Sequence, residues 1–269
     1  MTVVVVPVFN APEATRRCIE SLRATLDPRQ PVILVDDASD DARIPKLFES
    51  LPRQWTKVRN RSNLGFVASA NLGMTMASGQ DVILLNADTQ VTNGWLSAIE
   101  RCAASDPAIA SITPLTNNGE IASIPAFCRP NPSPDDAERW AQACRESGSP
   151  LYPEVPTTVG FCMFMRRAAI DEIGLFDEAA FGRGYGEEND WCMRAIQAGW
   201  HHVLCDSAFV AHEGGASFGP LGLKPGGEAM ETLLSRYPDY MDRVQAFIEA
   251  DPMAERRRAI VACYRELDR

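Results

Sequence analysis

The chain has 269 residues, of which 45% are hydrophobic and 23% are charged, and this composition is typical of a soluble globular protein. The formal net charge of −10 argues against a nucleic-acid-binding surface, because such surfaces carry a basic excess. No apolar run is long enough to cross a bilayer, no signal peptide precedes the first strand, and the eight cysteines form no Cys-x-x-Cys pair. We therefore expect reduced, buried thiols in a cytosolic protein.

Strands and helices alternate over the N-terminal part of the chain. Hydrophobic patterning predicts buried strands over 2–8, 31–37 and 81–85, a more polar edge strand over 56–60, and helices from Pro12 and over 67–78. This alternation predicts an α/β domain with a parallel sheet and crossover helices. Polar clusters follow three of the strands, at 7–10, 36–37 and 86–88. Because the carboxyl ends of parallel strands meet along one rim, where ligands bind, we expect a ligand site there.

Shorter elements are predicted for the rest of the chain. Helices are expected over 94–104, 135–146 and 166–173, and strands over 109–113, 155–165, 201–205 and 208–212. Residues 114–134 predict a long loop, of the kind that forms lids or acceptor-binding elements. Another helix is expected to begin at Glu187, behind a glycine-rich loop at 182–186, and to end at Gly199. A mobile turn at 213–217 and terminal helices from Gly226 onward complete the prediction.

Asp36 and Asp37 close the second buried strand. A carboxylate in that place can accept hydrogen bonds from a nucleotide base or from ribose hydroxyls. The alternative is a turn-forming loop, because Asp and Ser favour turns in any case. The polar cluster at 7–10 on the neighbouring strand favours the ligand-binding interpretation.

Asn86 and Asp88 follow the third buried strand with one residue between them. Their spacing places both side chains on one face, where they could share a divalent cation, and Mg²⁺ or Mn²⁺ fits such oxygen ligands. The alternative is an Asx-turn at a strand end. His212 also ends a predicted strand, and it becomes a candidate metal ligand only if Asp88 supplies the rest of the site.

Glu187, Glu188 and Asp190 open a predicted helix. Carboxylates are favoured at helix N-termini by the helix dipole, which is the structural explanation. The functional interpretation is a general base that takes a proton from an acceptor hydroxyl. Either Glu188 or Asp190 could serve as this base, and the spacing does not choose between them. The chain has no Gly-x-Ser-x-Gly motif and no Walker loop, so serine-hydrolase and P-loop chemistry are excluded.

Taken in chain order, these segments resemble the family 2 glycosyltransferases of the GT-A fold, and among them the bacterial rhamnosyltransferase-like members. The resemblance covers residues 2–218. The matching segments are Val6-Pro7-Val8-Phe9-Asn10, Val35-Asp36-Asp37-Ala38-Ser39-Asp40-Asp41, Asn63-Leu64-Gly65-Phe66, Leu85-Asn86-Ala87-Asp88, Val159-Gly160-Phe161-Cys162-Met163, Gly174-Leu175-Phe176-Asp177-Glu178, Gly186-Glu187-Glu188-Asn189-Asp190 and His212.

The resemblance implies an α/β, GT-A (nucleotide-diphospho-sugar transferase) fold with a mostly parallel central sheet flanked by helices. We expect this domain over residues 1–220 and a helical extension over 221–269 that packs on the domain or on a partner. The implied activity is an inverting, metal-assisted transfer from a UDP- or dTDP-sugar to a hydroxyl of a glycan or lipid-linked acceptor. A cytoplasmic enzyme of this kind can also sit at the inner face of the cell membrane, as a peripheral protein or as one domain of a longer chain.

The resemblance also assigns roles to individual residues. Base and ribose contacts fall at Pro7, Phe9, Asn10 and Asp37, with Asp36 beside them. Contacts to the nucleotide and diphosphate fall at Asn63, Gly65 and Asn71, and at the segment Asn86-Ala87-Asp88, which occupies the Asp-x-Asp place of the family.

Four residues at which the chain matches or departs from the family pattern concern the chemistry, namely Asn86, Asp88, His212 and Glu188. Asn86 replaces the first carboxylate of the Asp-x-Asp pattern, which lowers the charge of the site by one unit. Asp88 and His212 match the metal ligands, Mn²⁺ or Mg²⁺ being the expected cofactor. Glu188 aligns with the base, which is more often Asp in the family, so its carboxylate reaches one methylene further.

Two other classes of function are the alternatives to this one. A nucleotidyltransferase can share such a sheet, but it would need a glycine-rich basic loop with a Lys after the first strand, and residues 7–12 have neither. A catalytically silent nucleotide- or glycan-binding module of a larger polysaccharide-assembly protein is the second alternative. Donor hydrolysis, assayed with Mn²⁺ and then with a chelator, distinguishes these functions.

Overall fold

The computed structural model describes residues 2–182, 184–214 and 227–267. Nine strands form one sheet. They are β1 (Thr2–Val8), β2 (Val32–Asp36), β3 (Thr56–Arg59), β4 (Asp81–Leu85), β5 (Thr89–Val91), β6 (Ile109–Leu115), β7 (Glu154–Val155), β8 (Cys162–Met165) and β9 (His201–His212).

Helices cover both faces of the sheet. They are α1 (Pro12–Thr25), α2 (Arg43–Glu49), α3 (Phe66–Met76), α4 (Trp95–Ser105), α5 (Ala137–Glu146), α6 (Arg167–Ile173), α7 (Glu178–Phe181), α8 (Glu187–Gln197), α9 (Gly227–Arg236), α10 (Tyr240–Ala250) and α11 (Ala254–Glu266), with a 3₁₀ turn at Glu120–Ala122. Within the described ranges, no helix has the length and hydropathy that a membrane span requires.

The strand order is β3-β2-β1-β4-β8-β6-β9-β5, with β7 paired to β9. The strands β1, β2, β3 and β4 pair in parallel, as do β6 and β9. Strand β8 lies antiparallel between β4 and β6, and β5 and β7 pair antiparallel with β9. The predicted α/β fold with a helix-flanked central sheet is confirmed, and the sheet is mixed because β8 reverses its direction in the middle.

Strand β1 shows why the sheet is buried on both faces. Its valines alternate, so that Val4 and Val6 enter the core under α1 and α4, whereas Val3 and Val5 enter the core under α3 and α8. Helix α3 approaches β1 closely at Gly73, where a Cβ atom would lie 2.2 Å from a methyl group of Val5. This two-sided burial is what a continuous run of apolar residues requires.

Two strand predictions were wrong in their extent. The strand predicted over 155–165 is divided into β7 and β8, and the residues between them turn away from the sheet toward a cavity. The strands predicted over 201–205 and 208–212 form the single strand β9, whose pairing with β6 is irregular between Pro114 and Leu115. The charge of Asp206 favours a break between two strands. Asp206 is nevertheless buried in β9, because Arg256 and two backbone N–H groups donate hydrogen bonds to its carboxylate.

The three C-terminal helices pack on the sheet domain. Leu233 of α9 and Tyr237, which follows α9, belong to the core that also contains residues of α8. Ile260 of α11 belongs to a second core, which includes Trp140. Trp140 stacks on Tyr264 with ring centroids 3.9 Å apart. The predicted domain boundary at 220 and the end of the turn predicted over 213–217 lie outside the described residues. All eight cysteines are free, and six of them are buried.

Candidate active site

A cavity of about 380 Å³ lies at the carboxyl ends of β1 and β4. It brings together segments from the whole length of the chain. The predicted site residues that line it are Pro7, Phe9, Asp37, Asn63, Gly65, Asn86, Ala87, Asp88, Glu188 and His212. The long loop after β6 also reaches it, through Asn118, Gly119 and Glu120.

At one end of the cavity, Asp37 organises the loop between β3 and α3. Its carboxylate accepts hydrogen bonds from the backbone N–H groups of Leu64 and Gly65, each at 2.8 Å, and from the side-chain amide of Asn60 at 2.8 Å. Gly65 has a φ of 94°, which favours glycine there. An ionised carboxylate has about four acceptor positions, so Asp37 can still accept a bond from a ligand in the cavity.

Asn10, Asp36 and Asn71 do not line the cavity in the described structure. The side-chain oxygen of Asn10 accepts bonds from the N–H groups of Asp40 and Asp41, at 2.9 and 3.1 Å. Asp36 is bonded to Arg59 and to the N–H of Ser39. These bonds fix the loop that follows β2.

Asn71 has an equally clear structural partner. Its side-chain amide donates to the carbonyl of Phe176 at 3.0 Å, and its side-chain oxygen accepts from the N–H of Phe176 at 3.1 Å. This pair of bonds holds the turn before α7 against α3. The contact to the nucleotide that the resemblance implied for Asn71 therefore has no geometric support.

Asp88 and His212 meet at the end of β4 and β9. A carboxylate oxygen of Asp88 lies 3.4 Å from Nε2 of His212, because β5 pairs with the end of β9 directly after Asp88. Nδ1 of His212 lies 2.6 Å from the carbonyl oxygen of Asn118 and donates to it, which leaves the lone pair of a neutral Nε2 facing Asp88. Burial lowers the pKa of His212, but the hydrogen bond and charge of Asp88 outweigh it and raise that pKa.

These residues fit a divalent cation. A carboxylate and an imidazole lone pair that face each other repel unless a proton or a cation lies between them. The side-chain oxygen of Asn86 is buried, lines the same cavity region and accepts no hydrogen bond within the described part of the chain. Together these atoms supply part of the oxygen and nitrogen shell that Mn²⁺ or Mg²⁺ prefers. No group of three or more His, Cys, Asp or Glu side chains suited to a metal occurs in residues 2–182, 184–214 and 227–267.

The cavity wall carries negative charge. Its lining includes the carboxyl groups of Asp37, Asp88, Glu120, Glu187 and Glu188. Among the residues that the structure describes, none that lines the cavity is Lys or Arg. An anionic ligand such as a diphosphate would be repelled by this wall, and a bound cation would reverse the local field.

Glu187 and Glu188 are the first residues of α8, and both line the cavity. Gly186 precedes them with a φ of 90°, and it sets the direction in which the helix starts. Burial raises the pKa of both carboxyl groups, and the charge of Glu188 raises the pKa of Glu187 further. Each group has one buried oxygen with no hydrogen-bond partner among the described residues.

Asp190 occupies a different environment from Glu188. Its side chain is fully buried, and it does not line the cavity. Its carboxylate accepts from Arg194 at 2.8 Å, from Arg236 at 2.8 Å and from the hydroxyl of Tyr237 at 3.1 Å. Of the two candidates for the base, Glu188 lines the cavity and Asp190 does not.

Several lining residues were not predicted from the sequence. Met230, Leu233 and Tyr240, from the C-terminal helices, form an apolar part of the wall, and Tyr185 also lines the cavity. The spacing of these residues indicated only amphipathic helices. The glycine-rich loop before α8 was the one signal that could have drawn attention to Tyr185.

Comparison with solved structures defines the class of the fold. The chain superposes on GalNAc-T7, solved with UDP, GalNAc and Mn²⁺, with a TM-score of 0.65 and 15% identity over 98% of this chain and 54% of that one. It superposes on the mannosyltransferase PcManGT of Pyrobaculum calidifontis, solved with GDP-Man and Mn²⁺, with a TM-score of 0.58 and 14% identity over 99% of this chain and 79% of that one. The fold is therefore that of the GT-A glycosyltransferases.

Sequence comparison gives the family. The profile of Glycosyl transferase family 2 matches residues 3–174, and the chain belongs to this family. It is 27% identical over 229 residues to N-acetylglucosaminyl-diphospho-decaprenol L-rhamnosyltransferase of Mycobacterium tuberculosis (strain ATCC 25618 / H37Rv), covering 76% of this chain and 73% of that one. It is also 26% identical over 203 residues to polypeptide N-acetylgalactosaminyltransferase 3 of Taeniopygia guttata, covering 67% of this chain and 32% of that one. The chain thus spans about a third of the length of that relative. The match to the family 2 profile confirms the predicted family.

Proposed function

We propose that this chain is an inverting glycosyltransferase that transfers a sugar from a UDP- or dTDP-sugar to a hydroxyl of a glycan or lipid-linked acceptor. One observation carries the proposal: Asp37, the pair of Asp88 and His212, and Glu188 line a single cavity although they are far apart in sequence. This arrangement offers a place for a nucleoside, a place for a cation and a candidate base. The ligands in the two solved structures, UDP in one and GDP-Man in the other, each with Mn²⁺, support the same donor class.

The donor would bind with its nucleoside toward the β1 and β2 ends. Asp37 keeps acceptor capacity there, and Pro7 and Phe9 provide an apolar surface against which a base can lie. Asp88, His212 and Asn86 would hold the cation, which neutralises the charge that develops on the leaving diphosphate. Without it, the carboxylates of the wall would repel that diphosphate, so we propose that donor binding depends on a divalent metal.

Glu188 is proposed as the general base. The acceptor oxygen forms a bond to the anomeric carbon while the bond from that carbon to the diphosphate oxygen breaks, and the bonding electron pair leaves with the diphosphate. The carboxylate of Glu188 takes the proton of the acceptor hydroxyl. Its buried oxygen without a partner is free of competing protein donors among the described residues, which suits this role. Base assistance of this kind is worth about 10²–10⁴-fold in rate.

The acceptor is proposed to be a glycan or a lipid-linked sugar. The mycobacterial relative is an L-rhamnosyltransferase named for an acceptor that carries N-acetylglucosamine on a decaprenyl diphosphate, which supports a lipid-linked acceptor and a role in cell-envelope assembly. The apolar wall of Met230, Leu233 and Tyr240 is compatible with an acceptor that carries an apolar group. We propose a cytoplasmic location, with action at the inner face of the membrane where such an acceptor would be reached.

The test begins with donor binding and turnover. We expect a UDP- or dTDP-sugar to raise the melting temperature in the presence of Mn²⁺ and a chelator to abolish that shift. We expect slow donor hydrolysis that also needs Mn²⁺, and Glu188→Gln to retain the binding shift while turnover falls by about 10²–10⁴-fold. Donor binding without any hydrolysis or transfer would instead favour a silent binding module. Turnover that Glu188→Gln leaves undiminished would remove the proposed base.

A further inference from the structure

His212 is held in place by contacts to its backbone, to its ring nitrogen and to its ring face. Its backbone N–H and carbonyl both bond to the side chain of Asn117. Nδ1 of the ring lies 2.6 Å from the carbonyl oxygen of Asn118, and the ring of Phe161 stacks on the imidazole with centroids 5.1 Å apart. These contacts leave Nε2, which lies 3.4 Å from a carboxylate oxygen of Asp88, as the ring atom that can bind a ligand.

Asn117 makes both backbone bonds with a single amide group. Its side-chain oxygen accepts from the N–H of His212 at 2.8 Å, and its side-chain nitrogen donates to the carbonyl of His212 at 2.9 Å. This pair of bonds fixes the orientation of the amide, because the opposite orientation would place donor against donor and acceptor against acceptor. Asn117 is buried, with a relative exposure of 4%, so water does not compete for these bonds.

The long loop after β6 holds Asn117 in turn. The carbonyl of Asn117 accepts from the backbone N–H of Asn131 at 2.9 Å and from the side-chain amide of Asn131 at 3.1 Å. The side-chain amide of Asn117 also donates to the carbonyl of Asn131 at 3.3 Å. The start and the end of this loop are therefore joined at the residue that clamps His212.

The clamp acts where the sheet itself gives less support. Strand β9 pairs with β6 as far as Phe209, which is matched with Leu115, and its last residues pair with the short strand β5. His212 lies at the very end of β9, so the bonds to Asn117 extend the attachment of β9 to the residue whose imidazole faces Asp88.

We propose that Asn117 is a positioning residue, which fixes His212 where Nε2 can share a divalent cation with Asp88. This inference rests on the proposed function, because it concerns a residue that holds a ligand of the proposed cation. Shortening the side chain of Asn117 would release the end of β9 from the loop. Nε2 would then lose its fixed position relative to Asp88, and the cation would bind less tightly.

The test measures Mn²⁺ binding rather than turnover. Water-proton relaxation is recorded during a Mn²⁺ titration at saturating UDP, because it distinguishes Mn²⁺ on the slowly tumbling protein from Mn²⁺ on free UDP. We expect Asn117→Ala to raise the Kd of Mn²⁺ by about 10–100-fold, the usual effect of removing a group that orients a metal ligand.

Asn60→Ala is the matched control. Asn60 is also a buried asparagine, but its side chain bonds to Asp37 and Ser69, at the other end of the cavity. We expect this variant to lose stability and to keep the wild-type Kd for Mn²⁺. A double-mutant cycle with His212→Ala then shows whether Asn117 acts through His212. We expect Asn117→Ala to have no further effect on Mn²⁺ binding in the His212→Ala background.

The outcomes separate this inference from the proposed function. If the wild type binds no Mn²⁺ with UDP, the metal-assisted function fails and the inference fails with it. If the wild type binds Mn²⁺ but either Asn117→Ala or His212→Ala leaves the Kd unchanged, the inference alone is overturned. An equal effect of Asn117→Ala in the wild type and in the His212→Ala background also overturns it, because Asn117 would then act on the fold in general.

Melting curves show whether each variant is folded. Should Asn117→Ala not fold, Asn117→Ser takes its place in the same cycle, since its short hydroxyl group cannot span both the N–H and the carbonyl of His212. The same rise in the Kd of Mn²⁺ is expected, and an unchanged Kd overturns the inference.

Discussion

Replacing Asp190 by asparagine tests the assignment of the base against its nearest competitor. The substitution changes the volume very little, but it removes a charge that is fully buried and neutralises two arginines. One carboxylate oxygen accepts from Arg194, and the other accepts from Arg236 and Tyr237. An amide group can replace only one of these acceptors, so its NH₂ group must face a guanidinium or the tyrosine hydroxyl.

The structure sets the size of the effect. Removing one partner of a fully buried ion pair costs about 3–5 kcal/mol of folding free energy. The side chains of Arg194 and Arg236 are 24% and 36% exposed, so water can compensate part of the charge that they lose. We therefore expect Asp190→Asn to cost about 2–3 kcal/mol, which corresponds to a fall in melting temperature of about 4–12 °C for a domain of this size.

Thermal unfolding and donor turnover should be measured on the same preparations, with Glu188→Gln as the matched control. We expect Asp190→Asn to melt lower than the wild type and to turn over donor at low temperature. We expect Glu188→Gln to melt close to the wild type and to turn over almost none. An Asp190→Asn protein that melts like the wild type but is inactive would refute the reasoning and move the role of base to Asp190.

Three more changes test other parts of the molecule. Asp88→Asn should raise the Mn²⁺ concentration needed for half-maximal turnover, because it removes the carboxylate that faces Nε2 of His212. Asp40→Asn, at an exposed position, is the control. An unchanged Mn²⁺ titration would contradict the metal role. Arg256→Met removes the cation that pairs with the buried Asp206, and it should lower the free energy of unfolding in chemical denaturation by about 3–5 kcal/mol. The control is Arg258→Met, at a side chain 74% exposed, which should change the free energy of unfolding by no more than about 0.5 kcal/mol. Equal midpoints for these two variants would show that α11 is not held by this ion pair. Burial and the charge of Glu188 raise the pKa of Glu187, so its contribution to stability is complete below the pKa of the unfolded chain and is lost as the pH rises through the folded pKa. Glu187→Gln should therefore melt above the wild type at alkaline pH and close to it at acid pH, and parallel melting curves across the pH range would contradict the raised pKa.

The strands and the rim that carries the site could be predicted because the relevant signals are local. The valines of β1 and the apolar run of β4 predict strands. Polar residues directly after such a strand are expected at the edge of the sheet. What these signals lack is the direction of each side chain at the end of the strand. Asp36 and Asp37 are adjacent, but Asp36 bonds to Arg59 while Asp37 lines the cavity.

Long-range contacts account for the rest. Asn71 binds the backbone of Phe176, and Asp190 binds Arg236, and neither partner can be found from spacing along the chain. The same holds for the continuous strand β9, since Asp206 is tolerated there only because Arg256 of the last helix reaches it. From the sequence alone, buried charged residues of this kind are predicted to lie in loops, because their partners are not known.

The network around Asp190 links the C-terminal extension to the chemistry of the site. Arg236 of α9 bonds both to Asp190 of α8 and to Asp177 at the start of α7, so α9 is fixed to the helix whose first turn carries Glu187 and Glu188. Helix α9 also supplies Met230 and Leu233 to the cavity wall. The proposed base and the apolar wall are therefore held by one set of ion pairs. A change that loosens Arg236 should disturb the side of the cavity next to Glu188 more than the region around Asp37, where Leu64 and Gly65 are bonded independently of the extension.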